Sequence, residues 1–332
     1  MSNRIYYACQ SVQLHPPIDI DTTLSSAANK TTIEAGAAVT IQGLQSVGMN
    51  TNFNLEPVYQ LGQLSLYDNY EEIPEVEISL NKVLDGRATL FQSAMGEGSL
   101  TELQNRACGV VLTLYPDTVQ KASGVPTAQV KCTPAYLSSV TYTFPSEGNF
   151  TEEVQLVSNN KEWDTSVSSV DTSPTDEDAG SDPGIMRRQQ INLSGSILPT
   201  GVSGGIPVGY KIQSINVTVN LGRESIFNLG ERTPSFRYIN FPVEVTSEFE
   251  VIARGGDLVG VEEGDGSSCT NPKALINKPI VIALCDGTVI DLGSKNKLTS
   301  VNYTGGDTGG GNATITYSYQ TFNDFDFTGP TA

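Results

Sequence analysis

Apolar and polar side chains alternate over short stretches along most of this chain, and one such pattern occurs twice. Val47, Met49, Phe53 and Leu55 take the apolar positions of the first stretch, and Ile215, Val217, Val219 and Leu221 those of the second, with Asn, Thr and Gly largely between them. A period of two is that of a strand with one buried face. EPVYQLG at 56 and ESIFNLG at 224 follow in step. Sliding residues 44–79 onto 212–247 without gaps gives nine identities in 36 positions, among them Gln45/Gln213, Ser46/Ser214, Glu56/Glu224, Leu61/Leu229, Gly62/Gly230, Tyr70/Tyr238 and Pro74/Pro242. An ordered series of matches signals duplication. Leu61 and Leu229 are expected to be buried at a strand end, with Gly62 and Gly230 releasing the chain into a turn.

A second strand follows Pro74 and Pro242, reading EVEISL in the first repeat and VEVTSEFEV in the second. The ungapped register sets Val76 against Glu244 and so reverses the faces; a one-residue shift brings Val76, Ile78 and Leu80 onto Val243, Val245 and Ser247. The opposite face is acidic in both repeats, with Glu75 and Glu77 in one and Glu244, Glu248 and Glu250 in the other. Charge on an exposed strand also serves to block unwanted pairing. Ser99-Leu-Thr-Glu102 reads as a capping box opening a short helix before ACGVVLTLYP. Asn271 and Pro272 read as the N-cap and first residue of a short helix over KALIN, with KPIVIALCDG following as a strand. Each repeat closes in a hairpin, in which Leu137/Leu298, Val140/Val301, Tyr142/Tyr303 and Thr151/Thr314 correspond if the Gly-rich turn differs by two residues.

The pattern predicts a mainly β chain of two tandem antiparallel β-barrel or sandwich units, each with a short flanking α-helix. The expected division is residues 1–163 with an N-terminal extension, an acidic Ser/Thr/Pro-rich linker at 164–184, and a second unit at 185–332.

Charge narrows the function. Of 332 residues, 37 are acidic and 19 basic, a formal net charge of −18. Such a surface repels phosphate and anionic lipid, which argues against gripping nucleic acid or adhering to a membrane. No run of apolar residues is long enough for a membrane-spanning helix. The N-terminus lacks an apolar signal segment, so an unprocessed chain made in a cytoplasm is expected.

Little points to catalysis. His15 is the single histidine, so triads and His-rich zinc sites have no material. The five cysteines are widely spaced, with no metal-ligand spacing, and read as reduced, mostly buried thiols. Acid clusters at Asp176, Glu177, Asp178 and Asp182, and at Asp324 and Asp326, lack the EF-hand spacing. No catalytic, cofactor-binding or metal-binding residue is assigned, and no cofactor is expected.

The series IQGLQSVGM, EPVYQLG, IPEVEISL and a closing GNxT hairpin, repeated as IQSINV, ESIFNLG, FPVEV and GNAT, resembles the tail-tube proteins of tailed bacteriophages. That resemblance implies a non-enzymatic virion protein, located in the tail and assembled in the host cytoplasm. Its sheets would join side by side into stacked rings, and its tandem duplication matches the trimeric, pseudo-hexameric tubes of siphophages. It also implies the partners: further copies of the chain, a tape-measure protein, a tail terminator, and a distal tail or baseplate protein. Double-stranded DNA would transit the lumen without specific binding, past a wall for which Glu75, Glu77, Glu244, Glu248 and Glu250 are the candidate lining. The alternatives are a baseplate hub or contractile injection-system tube protein and, in a different class, a secreted β-sandwich adhesin or carbohydrate binder. An acid-pair hydrolase ranks third.

Overall fold

A computed structural model of the chain describes residues 5, 7–116, 125–165, 167, 184–194, 198, 211–231, 233–253, 259, 277–306 and 311–330. Eight strands form its backbone: β1 (Leu44–Asn52), β2 (Glu75–Val83), β3 (Ala128–Pro145), β4 (Thr151–Ser158), β5 (Lys211–Asn220), β6 (Glu244–Ile252), β7 (Lys297–Thr304) and β8 (Thr314–Phe322). They lie side by side in the order β1-β2-β4-β3-β5-β6-β8-β7, every neighbouring pair antiparallel. The order of the first four, 1-2-4-3, recurs in the last four, 5-6-8-7. The two sets meet at β3 and β5.

The repetition extends to irregularities in the ladder. Gln45 is the extra residue where β1 slips against β2, and Gln213 is the extra residue where β5 slips against β6. Ser138 of β3 and Thr299 of β7 stand as bulges opposite β4 and β8. A bulge sets the local bend and twist of a strand, so matched bulges give the two halves matched curvature.

Pairing also corrects the alignment of the acidic strand. Asn52 faces Glu75 and Asn220 faces Glu244, so Val76 corresponds to Val245 rather than Val243. The extra residue of the second repeat lies before β6, where Val243 is buried in the connection. The shift needed was one residue, in the other direction.

Each strand puts one face into the core. Val76, Ile78, Leu80, Val140, Tyr142, Val154, Val217, Val245, Phe249 and Tyr317 belong to a single buried cluster that runs across both repeats. A smaller antiparallel sheet of Ile191–Ser194, Val281–Leu284, Val289–Asp291, Asp326–Thr328 and Gly98–Ser99 supplies Ile282, Ile290 and Phe327 to the same cluster. The arrangement is sandwich-like, and among the described residues the strands close no barrel. Gln10–Asp19, Arg106–Leu114, Val39–Thr40 and Glu162–Asp164 branch from the main sheet, directly or through one another, on the first half of β3.

Two helices are described, α1 (Ser26–Ala35) and α2 (Leu90–Met95). Thr89 caps α2, its side chain accepting from the Gln92 amide at 3.1 Å. The helix expected after Ser99 does not form. Its Ser99–Glu102 segment is a turn, because Gly98–Ser99 is taken by a strand pairing with Asp326–Thr328. The helix lies one segment earlier, where Phe91 packs against Phe325 and Phe327 at centroid distances of 5.4 and 5.0 Å. The segment at 271–276 lies outside the described residues, as does most of the expected linker at 164–184.

Candidate functional site

The face of the main sheet opposite the core carries the acids singled out in the sequence and is the candidate functional surface. Strand alternation fixes its composition: wherever Val or Ile turns inward, the next residue turns out. One register row crosses all eight strands as Ser46, Asn81, Glu153, Thr141, Thr218, Thr246, Gln320 and Lys297. A neighbouring row reads Gly48, Ser79, Gln155, Ser139, Asn220, Glu244 and, near the edge, exposed Phe322. Small polar side chains make the floor, and carboxylates project from it.

All five acids singled out in the sequence stand on this face. Glu77, Glu244 and Glu248 are exposed, and Glu75 and Glu250 are half-buried. They are not equivalent. Glu75 is ion-paired with Arg237 at 2.8 Å, and the same guanidinium donates to Asn159 Oδ1 at 2.9 Å. Glu244 accepts from the Gln320 amide at 2.6 Å, and Glu250 from the Ser214 hydroxyl at 3.1 Å. Glu153 is a sixth acid, exposed in the middle of β4, that the sequence reading passed over. Its signal was the alternation of TEEVQL, in which Val154 and Leu156 turn inward and Glu153 and Gln155 outward. The outward lysines, Lys211 and Lys297, sit at strand ends, whereas Lys82 of β2 is turned into the protein, bound to Asp85 at 2.6 Å and to the Gln42 carbonyl at 2.9 Å.

Two hairpins rise beyond the strand ends, Leu55–Tyr59 with Leu66–Glu71 and Arg223–Ile226 with Phe236–Ile239. Their registers match: Glu56 faces Tyr70 as Glu224 faces Tyr238. Leu61 and Leu229 are not buried. They occupy the two tips at 102% and 107% exposure, because the strand continues outward as a hairpin instead of ending in the core. Gly62 and Gly230 do turn the chain, with φ of +86° and +92°, a region that favours glycine. Three tyrosines, Tyr59, Tyr67 and Tyr70, are exposed on the first hairpin, and Phe53, which precedes it, is exposed too.

The second hairpin is docked on the first repeat. Arg223 Nε donates to the Leu137 carbonyl at 2.7 Å and Nη1 to the Gln104 carbonyl at 2.8 Å, while its guanidinium stands 5.7 Å from the centre of the Tyr136 ring. Burial pushes the Arg223 pKa down to about 10.

The histidine and the described cysteines lie elsewhere in the fold. His15 Nδ1 lies 2.8 Å from the Gly36 carbonyl, which only accepts, so that nitrogen carries the proton and tethers the end of α1. Among the described residues no group of three His, Cys, Asp or Glu side chains is placed to hold a metal. Cys9, Cys108 and Cys132 are buried free thiols, and Cys285 is an exposed one; burial raises the Cys108 and Cys132 pKa to about 12 and about 11.

No family model matches the chain, and no curated protein matches it. Among solved structures it is similar to a chain from the cryo-EM structure of the anti-feeding prophage baseplate, 6-fold symmetrised, at a TM-score of 0.31 and 10% identity, covering 49% of this chain and 97% of the other.

Proposed function

We propose that this chain is a structural protein of a phage tail, and specifically a tail-tube subunit whose main sheet forms the wall of a DNA conduit. The observation that carries the proposal is the polar face spanning two equivalent half-sheets, with Glu77, Glu153, Glu244 and Glu248 exposed on it. A channel for double-stranded DNA must avoid binding what passes through it. A wall of hydroxyls, amides and carboxylates repels phosphate and has few cations with which to displace its counterions. Three chains of two repeats would supply six near-equivalent sectors and a formal −54 per ring, three times −18.

In this reading the five sequence-assigned acids face the lumen, Glu75 partly neutralised by Arg237. The partners are other copies of the chain, a tape-measure protein inside, a terminator above, and a distal tail or baseplate protein below. Negative-stain electron microscopy of the purified protein tests it: stacked tubes, or rings with three two-lobed subunits, are expected. Isolated rings that never stack would favour a baseplate role. A dispersed monomer under assembly conditions would overturn the proposal.

A further inference from the structure

The sheet contains one complete joint between repeats and, at its two ends, the separate halves of a second. Inside the chain β3 pairs with β5 over seven residue pairs, from Ser214 opposite Pro145 to Asn220 opposite Ser139. β1, the counterpart of β5, and β7, the counterpart of β3, are the end strands of the path. Each presents a row of backbone groups on its outer side.

Burial differs between the repeats as it would if the second joint lacked its partner. Leu221 is fully buried, but its counterpart Phe53 is 68% exposed. Val217 and Val219 are fully buried, but Met49 and Thr51 are only half-buried. On the other edge, Tyr142 is fully buried and its counterpart Tyr303 is 53% exposed. The hairpins repeat the contrast: Ile239 is buried where the second hairpin rests on the first repeat, whereas the first hairpin is exposed along both strands.

We infer that β1 and the first hairpin bind β7 of another copy of this chain, in the register of the internal β3–β5 joint. Matching residues across the repeats sets Gly48 opposite Thr304, Met49 opposite Tyr303, Asn50 opposite Asn302, Thr51 opposite Val301 and Asn52 opposite Ser300. The two joints differ in chemistry. Leu55 replaces Arg223, Asn69 replaces Arg237, and exposed Phe322 stands where Asn159 receives that arginine. The contact between chains is therefore more apolar than the one within a chain, and the exposed aromatics of the first hairpin are what it covers. This inference deepens the ring reading and rests on it for closure, since a head-to-tail contact closes a ring only at a suitable rotation.

Cysteine pairing tests the register separately from assembly. Thr141 and Thr218 have hydroxyl oxygens 3.3 Å apart in the internal joint, so the corresponding Asn50→Cys/Asn302→Cys pair should form a disulfide between chains under mild oxidation. Asn52→Cys/Ser300→Cys is a second in-register pair, and Asn50→Cys/Ser300→Cys a slipped control. The expected result is a ladder of cross-linked chains on non-reducing gels for both in-register pairs, and at least ten-fold less for the control and the single variants. Assembled rings with cross-links favouring the slipped pair, or with none, would overturn the inference and leave the ring reading standing. Folded monomers without rings, judged by circular dichroism and microscopy, would overturn both.

Discussion

Tyr142 donates its phenolic hydroxyl to the Glu152 carboxylate at 2.9 Å inside the core, joining adjacent strands of the first repeat. The same carboxylate accepts the Leu90 and Phe91 amides at 2.6 and 2.9 Å, so it also anchors the start of α2 to the sheet. Burial, the largest influence, raises the Glu152 pKa, although those hydrogen bonds pull it down. Folding therefore binds a proton more tightly than the unfolded chain does. The stabilisation is full below the ordinary value of 4.5 and is lost as pH rises from there through the raised folded value. Glu152→Gln removes this dependence and turns an amide donor toward a backbone N–H, a cost of about 1–3 kcal/mol. Urea unfolding at pH 5 and pH 8 should show the wild type's advantage over the variant shrinking at the higher pH; an unchanged difference would refute this account.

Arg223 is the bolt between repeats. Arg223→Ala leaves the Leu137 and Gln104 carbonyls without this donor and uncovers the Tyr136 ring, for an expected loss of about 2–4 kcal/mol. Lysine retains the charge but not the forked geometry, so Arg223→Lys should recover less than half of the loss. Thermal unfolding of the three proteins checks the order.

Glu77 and Glu248 are exposed on the outward face. Changing both to lysine moves the formal net charge from −18 to −14, two per substitution, with an expected effect on stability within about 0.5 kcal/mol. Assembled particles of the variant should retain duplex DNA at low salt and release it as salt rises, while wild-type particles retain none. Equal retention by both would remove these residues from the conduit wall.

The hairpin tips make a contrasting prediction. Leu61→Ser and Leu229→Ser should each leave the urea midpoint of the monomer unchanged, because neither leucine is in the core. A shift of the size expected for a buried leucine, about 2–5 kcal/mol, would restore the original expectation from sequence.

Much of the fold was legible because alternation is a local property. The two repeats, the inward Val and Ile rows, the outward acids and the closing hairpins follow from period-two patterning together with recurrence. The errors came where a longer-range choice decided the outcome. A capping box at Ser99 is real as a local preference, but pairing with Asp326–Thr328 took the preceding residues into a strand. Alternation from the inward Val154 and Leu156 sets Glu153 outward but also turns Glu152 into the core, which a carboxylate tolerates only because Tyr142 and the Leu90 and Phe91 amides bind it there, and those partners come from the tertiary structure.

EPVYQLG and ESIFNLG show where the division falls. The sequence by itself determined that the two segments are equivalent, that each ends in a glycine turn, and that their strands alternate, since these depend on side-chain order and backbone preference. Only the tertiary structure decided that the turns are exposed tips, that the second hairpin is held down by Arg223 and Arg237, and that the first stands uncovered. Burial depends on what lies next to a strand, and among the described residues Leu44–Asn52 is an end strand of the sheet while Lys211–Asn220 is flanked on both sides.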